Sequence, residues 1–168
     1  MKKNNKGFSL IEVVVVMAIM AILIGSSVSI YSSIGRNRQK KLVDTTKDVI
    51  NTLKSDSLSK EGSYRLVIKK SGDAYVGVTQ KKNASDVWED KKTTQISDVG
   101  TITEGSNSVT ETDWIILAFN KSDGSFQTVA WADSTGTTST DVKDLVLEYK
   151  GYKTTLHFVK NTGKYYVG

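Results

Sequence analysis

The chain has 168 residues, 38% of them hydrophobic, with 23 basic and 18 acidic side chains and no cysteine or proline. That length suits one domain with an accessory element, and the lack of cysteine excludes disulfide staples, thiolate metal sites and a cysteine nucleophile. Lys2, Lys3 and Lys6 crowd the first seven residues; without them 20 basic side chains face 18 acidic ones, so the basic balance does not argue for nucleic acid.

The first element is a basic head, then Gly7-Phe8-Ser9-Leu10-Ile11-Glu12, then an unbroken apolar run from Val13 to Ile24. Phe8 to Ile30 would span roughly 34 Å as a helix, enough for a hydrocarbon core of about 30 Å. Lipid forces backbone hydrogen bonds inward and overrides the weak helix preference of Val and Ile. The unusual feature is Glu12, because a carboxylate beside hydrocarbon is costly and marks a functional site. In the first helical turn it also gains from the helix dipole.

Gly7-Phe8-Ser9-Leu10-Ile11-Glu12-Val13-Val14 resembles the type III (prepilin) signal of type IV pilins and of the pseudopilins of type II secretion systems. The resemblance implies a leader over 1–7 and cleavage between Gly7 and Phe8 by a membrane-embedded prepilin peptidase. The same enzyme would then N-methylate the new Phe8 amine. It implies that Glu12 pairs with the Phe8 amine of a neighbouring subunit, which sets the axial register in an apolar filament core. Physical chemistry supports these parts: Gly7 lets the backbone enter a narrow cleft, and Lys2, Lys3 and Lys6 hold the leader on the cytoplasmic side. A buried amine and a buried carboxylate are each costly alone and attract strongly together. Two other readings stand beside this one. An ordinary secretory signal would be cut near Gly25-Ser26-Ser27, but Glu12 and the seven-residue leader fit it poorly; a plain single-pass anchor leaves Glu12 incidental. A lipoprotein signal is excluded by the lack of cysteine.

Arg36, Arg38, Lys40 and Lys41 follow the apolar segment, so both flanks are basic and charge alone does not set its orientation. The resemblance places the N-terminus inside. The basic cluster reads as a solvated helix stripe or a contact with anionic headgroups. From Tyr31 the pattern turns amphipathic, with Leu42, Val43, Val49, Ile50 and Leu53 at helical spacing. One helix is expected over 8–60, its 8–30 part membrane-spanning or in a filament core and its 31–60 part packed on a sheet. A bend near Gly25 or Gly35 is allowed for, and Glu61-Gly62 supplies the stop. The family's major pilins often carry a helix-breaking proline here, which this chain lacks.

Beyond Gly62 the period changes to two. Tyr64–Lys69 and Ala74–Val78 flank Ser71-Gly72-Asp73 as a hairpin. Residues 80–113 read as a polar surface loop region, with a short strand over 95–103 and Trp88 as an isolated anchor. Trp114–Phe119 and Phe126–Ala132 flank a second turn, followed by a Ser/Thr/Gly loop over 133–141. Strands are expected at 145–150, 152–159 and 165–167, turned at Gly151 and at Asn161-Thr162-Gly163-Lys164. The strand, Asp123-Gly124 turn, strand, long loop and closing Thr162-Gly163 hairpin resemble the C-terminal domain of the FimT/GspH group of minor pilins and pseudopilins.

The remaining candidates have bland explanations. His157 alternates with Leu156 and Phe158, which points it to solvent, and no second His or Cys joins it as a metal ligand. Asp123 between Ser122 and Ser125 reads as a turn and lacks EF-hand spacing. Asp133, Asp141 and Asp144 are a weaker cation candidate. Trp88, Trp114, Trp131 and the tyrosines read mainly as packing, with a binding face as the alternative.

The fold class expected is therefore α+β: a long N-terminal membrane-spanning helix packed on an antiparallel β-sheet domain over 61–168, pilin-like. The function expected is a non-enzymatic structural subunit, a minor pilin or pseudopilin. It would be inserted once in the cytoplasmic membrane and later carried in a surface filament. Its implied partners are other pilin subunits, the prepilin peptidase and the assembly platform; no catalytic residue, metal or cofactor is expected. The alternatives are a major type IV pilin, or a pilin-anchored adhesin or DNA-binding subunit, for which a basic groove with exposed aromatics would be the sign.

Overall fold

The computed structural model describes residues 9–133 and 138–168, and the side chains of all of these except 26–30 and 138–140. One helix, α1, runs from Leu10 to Ser59. Eleven strands follow: β1 (Tyr64–Ser71), β2 (Ala74–Lys82), β3 (Trp88–Ser97), β4 (Thr101–Glu104), β5 (Asn107–Ser108), β6 (Asp113–Phe119), β7 (Phe126–Asp133), β8 (Thr138–Asp141), β9 (Asp144–Tyr149), β10 (Tyr152–Val159) and β11 (Lys164–Val167). They form a six-stranded sheet ordered β3-β2-β1-β6-β7-β8 and a five-stranded sheet ordered β11-β10-β9-β4-β5. All described pairings are antiparallel. The class is thus α+β, an N-terminal helix packed on antiparallel sheets.

The chain divides into two compact units, residues 1–35 and 36–168. In the second, the helix lays a stripe of Leu42, Val49, Ile50 and Leu53 into one core with both sheets. Their spacing of three, four and seven keeps them on one helix face. The six-stranded sheet contributes Leu66, Ile68, Ile115, Leu117, Val129 and Trp131, and the five-stranded sheet Leu145, Leu147 and Leu156. Strand alternation explains the choice. Leu66 and Ile68 enter this core while Val67 between them joins Val78, Ile116 and Ala132 in a small cluster on the opposite face.

Most polar groups on the helix stripe are satisfied locally or by the sheets; the buried Ser57 hydroxyl is the exception among the described residues. The fully buried Thr46 donates its hydroxyl to the Leu42 carbonyl at 2.7 Å. Gln39 donates to Thr154 Oγ1 on β10 at 2.6 Å, and Tyr165 on β11 donates to Asn51 at 2.9 Å. Gly77 on β2 lets the helix come close, since a β-carbon there would stand 2.8 Å from Val49 Cγ1.

Several strands differ from expectation. Residues 80–113 are not mainly loop: β2 runs on to Lys82, and β3 covers Trp88–Ser97 where a short strand over 95–103 was expected. β3 pairs only with β2 and is mostly exposed, so as an edge strand it needs no apolar alternation, and its charges guard against edge-to-edge association. β4 and β5 cross to the second sheet, where Ile102 is fully buried. The hairpins at 64–78, 114–132 and 145–159 form in the expected register of faces. Part of the 133–141 loop lies outside the described residues, and Thr138–Asp141 forms β8.

Glu104 joins the two sheets. Its Oε2 accepts the indole N–H of Trp131 at 2.6 Å and its Oε1 the backbone N–H of Lys143 at 2.8 Å. Trp131 is only 5% exposed, so removing its acceptor strands a buried donor, at about 1–3 kcal/mol. Glu104→Ala is therefore expected to lower the melting temperature of the β-unit by roughly 2–12 °C for a chain of this size. Glu104→Gln, which keeps one acceptor, should lose less; thermal unfolding followed by tryptophan fluorescence measures both.

Candidate functional site

The helix begins at a reciprocal cap. Ser9 stands immediately before α1 and Glu12 is the third helical residue. The Glu12 backbone N–H donates to Ser9 Oγ at 3.3 Å and to the Ser9 carbonyl at 3.1 Å. In return Glu12 Oε2 accepts the Ser9 backbone N–H at 2.9 Å and its hydroxyl at 3.1 Å. This is the capping box, in which two otherwise orphaned backbone donors are satisfied by exchange. Its signature, Ser-x-x-Glu ahead of an apolar run, stands in the sequence at Ser9-Leu10-Ile11-Glu12. Reasoning from Glu12 as a dipole partner and an intersubunit acid overlooked Ser9. Both side-chain bonds fall on Oε2, so the carboxylate is held in one orientation at an exposed helix start.

Around and beyond the cap, the helix is apolar on every side. The large apolar side chains from Leu10 to Ile24 are 47–86% exposed. Among the described residues no helix is long and apolar enough to cross a membrane, so the spanning stretch expected over 8–30 is not shown by the structure. Gly7 and Phe8, the expected cleavage and methylation residues, lie outside the described residues, as does the 1–7 leader.

The other sequence candidates are placed within the β-unit. His157 lies on the partly exposed face of its strand, opposite the buried Leu156 as its phase predicts, and is engaged there. Its Nδ1 lies 2.6 Å from Asp144 Oδ1 on β9, and its ring stacks on Tyr166 with centroids 4.8 Å apart. Asp141 is paired with Lys160 at 2.7 Å. Among the described residues no group of three or more acids or histidines is placed to hold a metal. Asp123 sits in a turn, where its Oδ1 accepts the Ser125 N–H at 2.9 Å and hydroxyl at 2.7 Å. These bonds hold its carboxyl below the usual range. Trp131 is core, whereas Trp88 and Trp114 are half-buried under cations: Arg65 lies 4.3 Å from the Trp88 centroid and Lys69 5.1 Å from that of Trp114. Arg65 also donates to Gln80, which donates to Asp90, each at 2.6 Å.

The helix thus opens on a capped acid and continues in an exposed apolar sleeve, ahead of a β-rich unit. Residues 2–28 match the Prokaryotic N-terminal methylation motif, the type IV pilin prepilin signal. The motif supports a type IV pilin-like or pseudopilin protein, with the prepilin cleavage and methylation, and the contacts with a prepilin peptidase and other pilin subunits, that this signal implies. No curated protein and no solved structure matches the chain.

Ser9→Ala removes the capping hydroxyl. It is expected to destabilise the helix start by about 1 kcal/mol, seen as faster amide exchange at Glu12 and Val13 in detergent micelles. Ser9→Thr should restore protection.

Proposed function

We propose that this chain is a structural subunit, a minor pilin or pseudopilin, of a type IV pilus or a type II secretion-like filament. The observation that carries the reading is the prepilin signal over 2–28 leading into a helix whose large apolar side chains from Leu10 to Ile24 stand exposed. The sequence is apolar from Phe8 to Ile30 apart from Glu12 and a few small residues, long enough to cross a bilayer. In this reading the segment anchors the subunit once in the cytoplasmic membrane before assembly and packs against neighbouring helices afterwards. Gly7 and Phe8 are the cleavage residues, and Phe8 carries the methylated amine. The role is not enzymatic and needs no cofactor.

Glu12 is the assembly contact. Its Oε2 is occupied by Ser9; among the described residues Oε1 accepts no hydrogen bond, and in this reading it takes the Phe8 amine of a neighbour. In an apolar core such a pair is weakly screened and strongly attractive. The minor or pseudopilin assignment is supported by the lack of a helix-breaking proline and by the two strand-turn-strand units at Asp123-Gly124 and Thr162-Gly163. The DNA-binding alternative draws little support from Trp88 and Trp114: the cations over these rings are engaged within the chain, and Asp90 answers Arg65 through Gln80.

Glu12→Ala or Glu12→Val is expected to leave processing largely intact and to abolish incorporation into filaments. Immunoblotting of sheared surface filaments against the membrane fraction measures this, and normal incorporation would refute the pairing. A bulky residue in place of Gly7 should leave the leader attached, read as a mature-chain mass larger by residues 1–7.

A further inference from the structure

Within the β-unit a cavity of about 410 Å³ opens between the helix and the end of β3. Its walls include Arg38 and Lys41 from the helix and Gln95, Ser97, Asp98 and Val99 from the strand end and the turn that follows. The volume is that of a small-ligand site. Arg38 and Lys41 are three residues apart, so both project from one helix face. Among the described residues, neither of them, nor Asp98, has an ion-pair partner within 4.0 Å. The turn is held from within: Ser97 Oγ donates to the Val99 carbonyl at 2.9 Å and accepts the Val99 N–H at 3.1 Å. Two unanswered cations and one carboxylate thus share one polar recess with a net charge of +1.

We propose that this recess binds the headgroup of an anionic phospholipid of the phosphatidylglycerol class. The phosphodiester, with one negative charge, matches the net charge of the recess. Arg38 offers a forked donor set suited to two phosphate oxygens, and Lys41 adds a point charge. Asp98 would repel a bare anion; it is accounted for by a ligand whose hydroxyls donate to it, as the headgroup glycerol does, with Gln95 as a further partner. The placement along the chain fits. Arg38 follows Ile30, the end of the apolar segment, by eight residues, so in the membrane-anchored reading the recess belongs to the stretch of chain that leaves the bilayer next. The proposal rests on the membrane-anchored reading of the apolar segment. The recess would hold the subunit at the outer leaflet surface until it is drawn into a filament.

The test uses the full chain in neutral detergent, with soluble glycerophosphoglycerol as the first probe and vesicles of phosphatidylcholine with or without phosphatidylglycerol as the second. Arg38→Ala/Lys41→Ala should bind glycerophosphoglycerol at least about a hundredfold more weakly than the unaltered chain, the loss of two charge-assisted contacts. Arg38→Lys/Lys41→Arg should recover most of it. Arg36→Ala/Lys40→Ala removes the same charge outside the recess and should change binding less than about twofold. Inorganic phosphate at equal concentration should not displace the probe, and Asp98→Asn should narrow the gap between the two. On vesicles, native mass spectrometry should find phosphatidylglycerol retained over phosphatidylcholine, and that preference lost in Arg38→Ala/Lys41→Ala. Equal loss in the two alanine pairs would mean diffuse surface attraction and would overturn the proposal, as would displacement by phosphate. Carbonate extraction of native membranes separates the two readings. Release of the chain would sink the anchor while leaving the headgroup result to stand or fall on the soluble probe.

Discussion

The exposed apolar surface of the helix from Leu10 to Ile24 governs this molecule. From Leu10 to Ile24 every large side chain of the helix is exposed at 47% or more. Each would gain roughly 1.5–3 kcal/mol on full burial, so the aggregate favours any apolar surroundings over water. A helix that is hydrophobic all round is a buried helix, and here the burial has to come from outside the chain. Past Arg36 the same helix obeys a different rule. Leu42, Ile50 and Leu53 are fully buried on one stripe, while Lys40, Asp44 and Asp48 keep the opposite faces wet. One element therefore serves two environments, and the change of pattern along it divides association from folding.

That division lets the β-unit be self-sufficient. Its core draws on the helix stripe and both sheets, and three polar side chains of the helix find partners in the unit: Thr46 in the helix backbone, Gln39 in β10, Asn51 in β11. Gly163, with a left-handed φ of 58°, closes the last hairpin against the Gly124 carbonyl, and a β-carbon there would collide with it. Lys54 donates to the Gly163 carbonyl at 2.8 Å, tying the same turn to the helix. None of these contacts uses residues 1–35. Substitutions in the apolar run are thus separable from the stability of the β-unit, and a defect in assembly need not be a defect in folding.

The sequence revealed what is local. The two-residue turn at Gly72-Asp73, flanked by alternating strands, announced the first hairpin, and Gly72 takes the left-handed φ of 59° that the turn requires. Gly151 did the same for β9 and β10, where it and Lys150, expected in the strand, both take positive φ. The helix stripe was legible from its spacing. What escaped was set at long range or by exposure. β3 carries Glu89, Asp90, Lys91 and Lys92 on an edge, so it lacks the apolar alternation by which strands are recognised. β4 follows β3 in sequence yet pairs with β9, and no local pattern encodes that choice. His157 lies on the outward face that its phase announced, but its capture there by Asp144 from the neighbouring strand and Tyr166 from the next was not legible. At the candidate site, Glu12 was conspicuous because a charge in an apolar run is conspicuous. Ser9 was just as readable through the capping pattern and was passed over because its role is to serve Glu12.

The Ser9 cap also clarifies what the cleavage step achieves electrostatically. Two donors from Ser9 partly replace the water that Glu12 loses in apolar surroundings, but hydrogen bonds from neutral groups leave its charge uncancelled. A buried carboxylate is rendered tolerable only by a charge of opposite sign at close range with its remaining lone pairs satisfied. In the reading proposed here, the nitrogen of Phe8 is an uncharged amide while the leader is attached, and the cut turns it into a cation one residue before Ser9 in sequence. The cap fixes where the negative end lies, and the cut creates the positive end. In the reading proposed here, neither suffices alone, so an uncut subunit brought into a filament would bury an uncompensated acid and be rejected on energetic grounds.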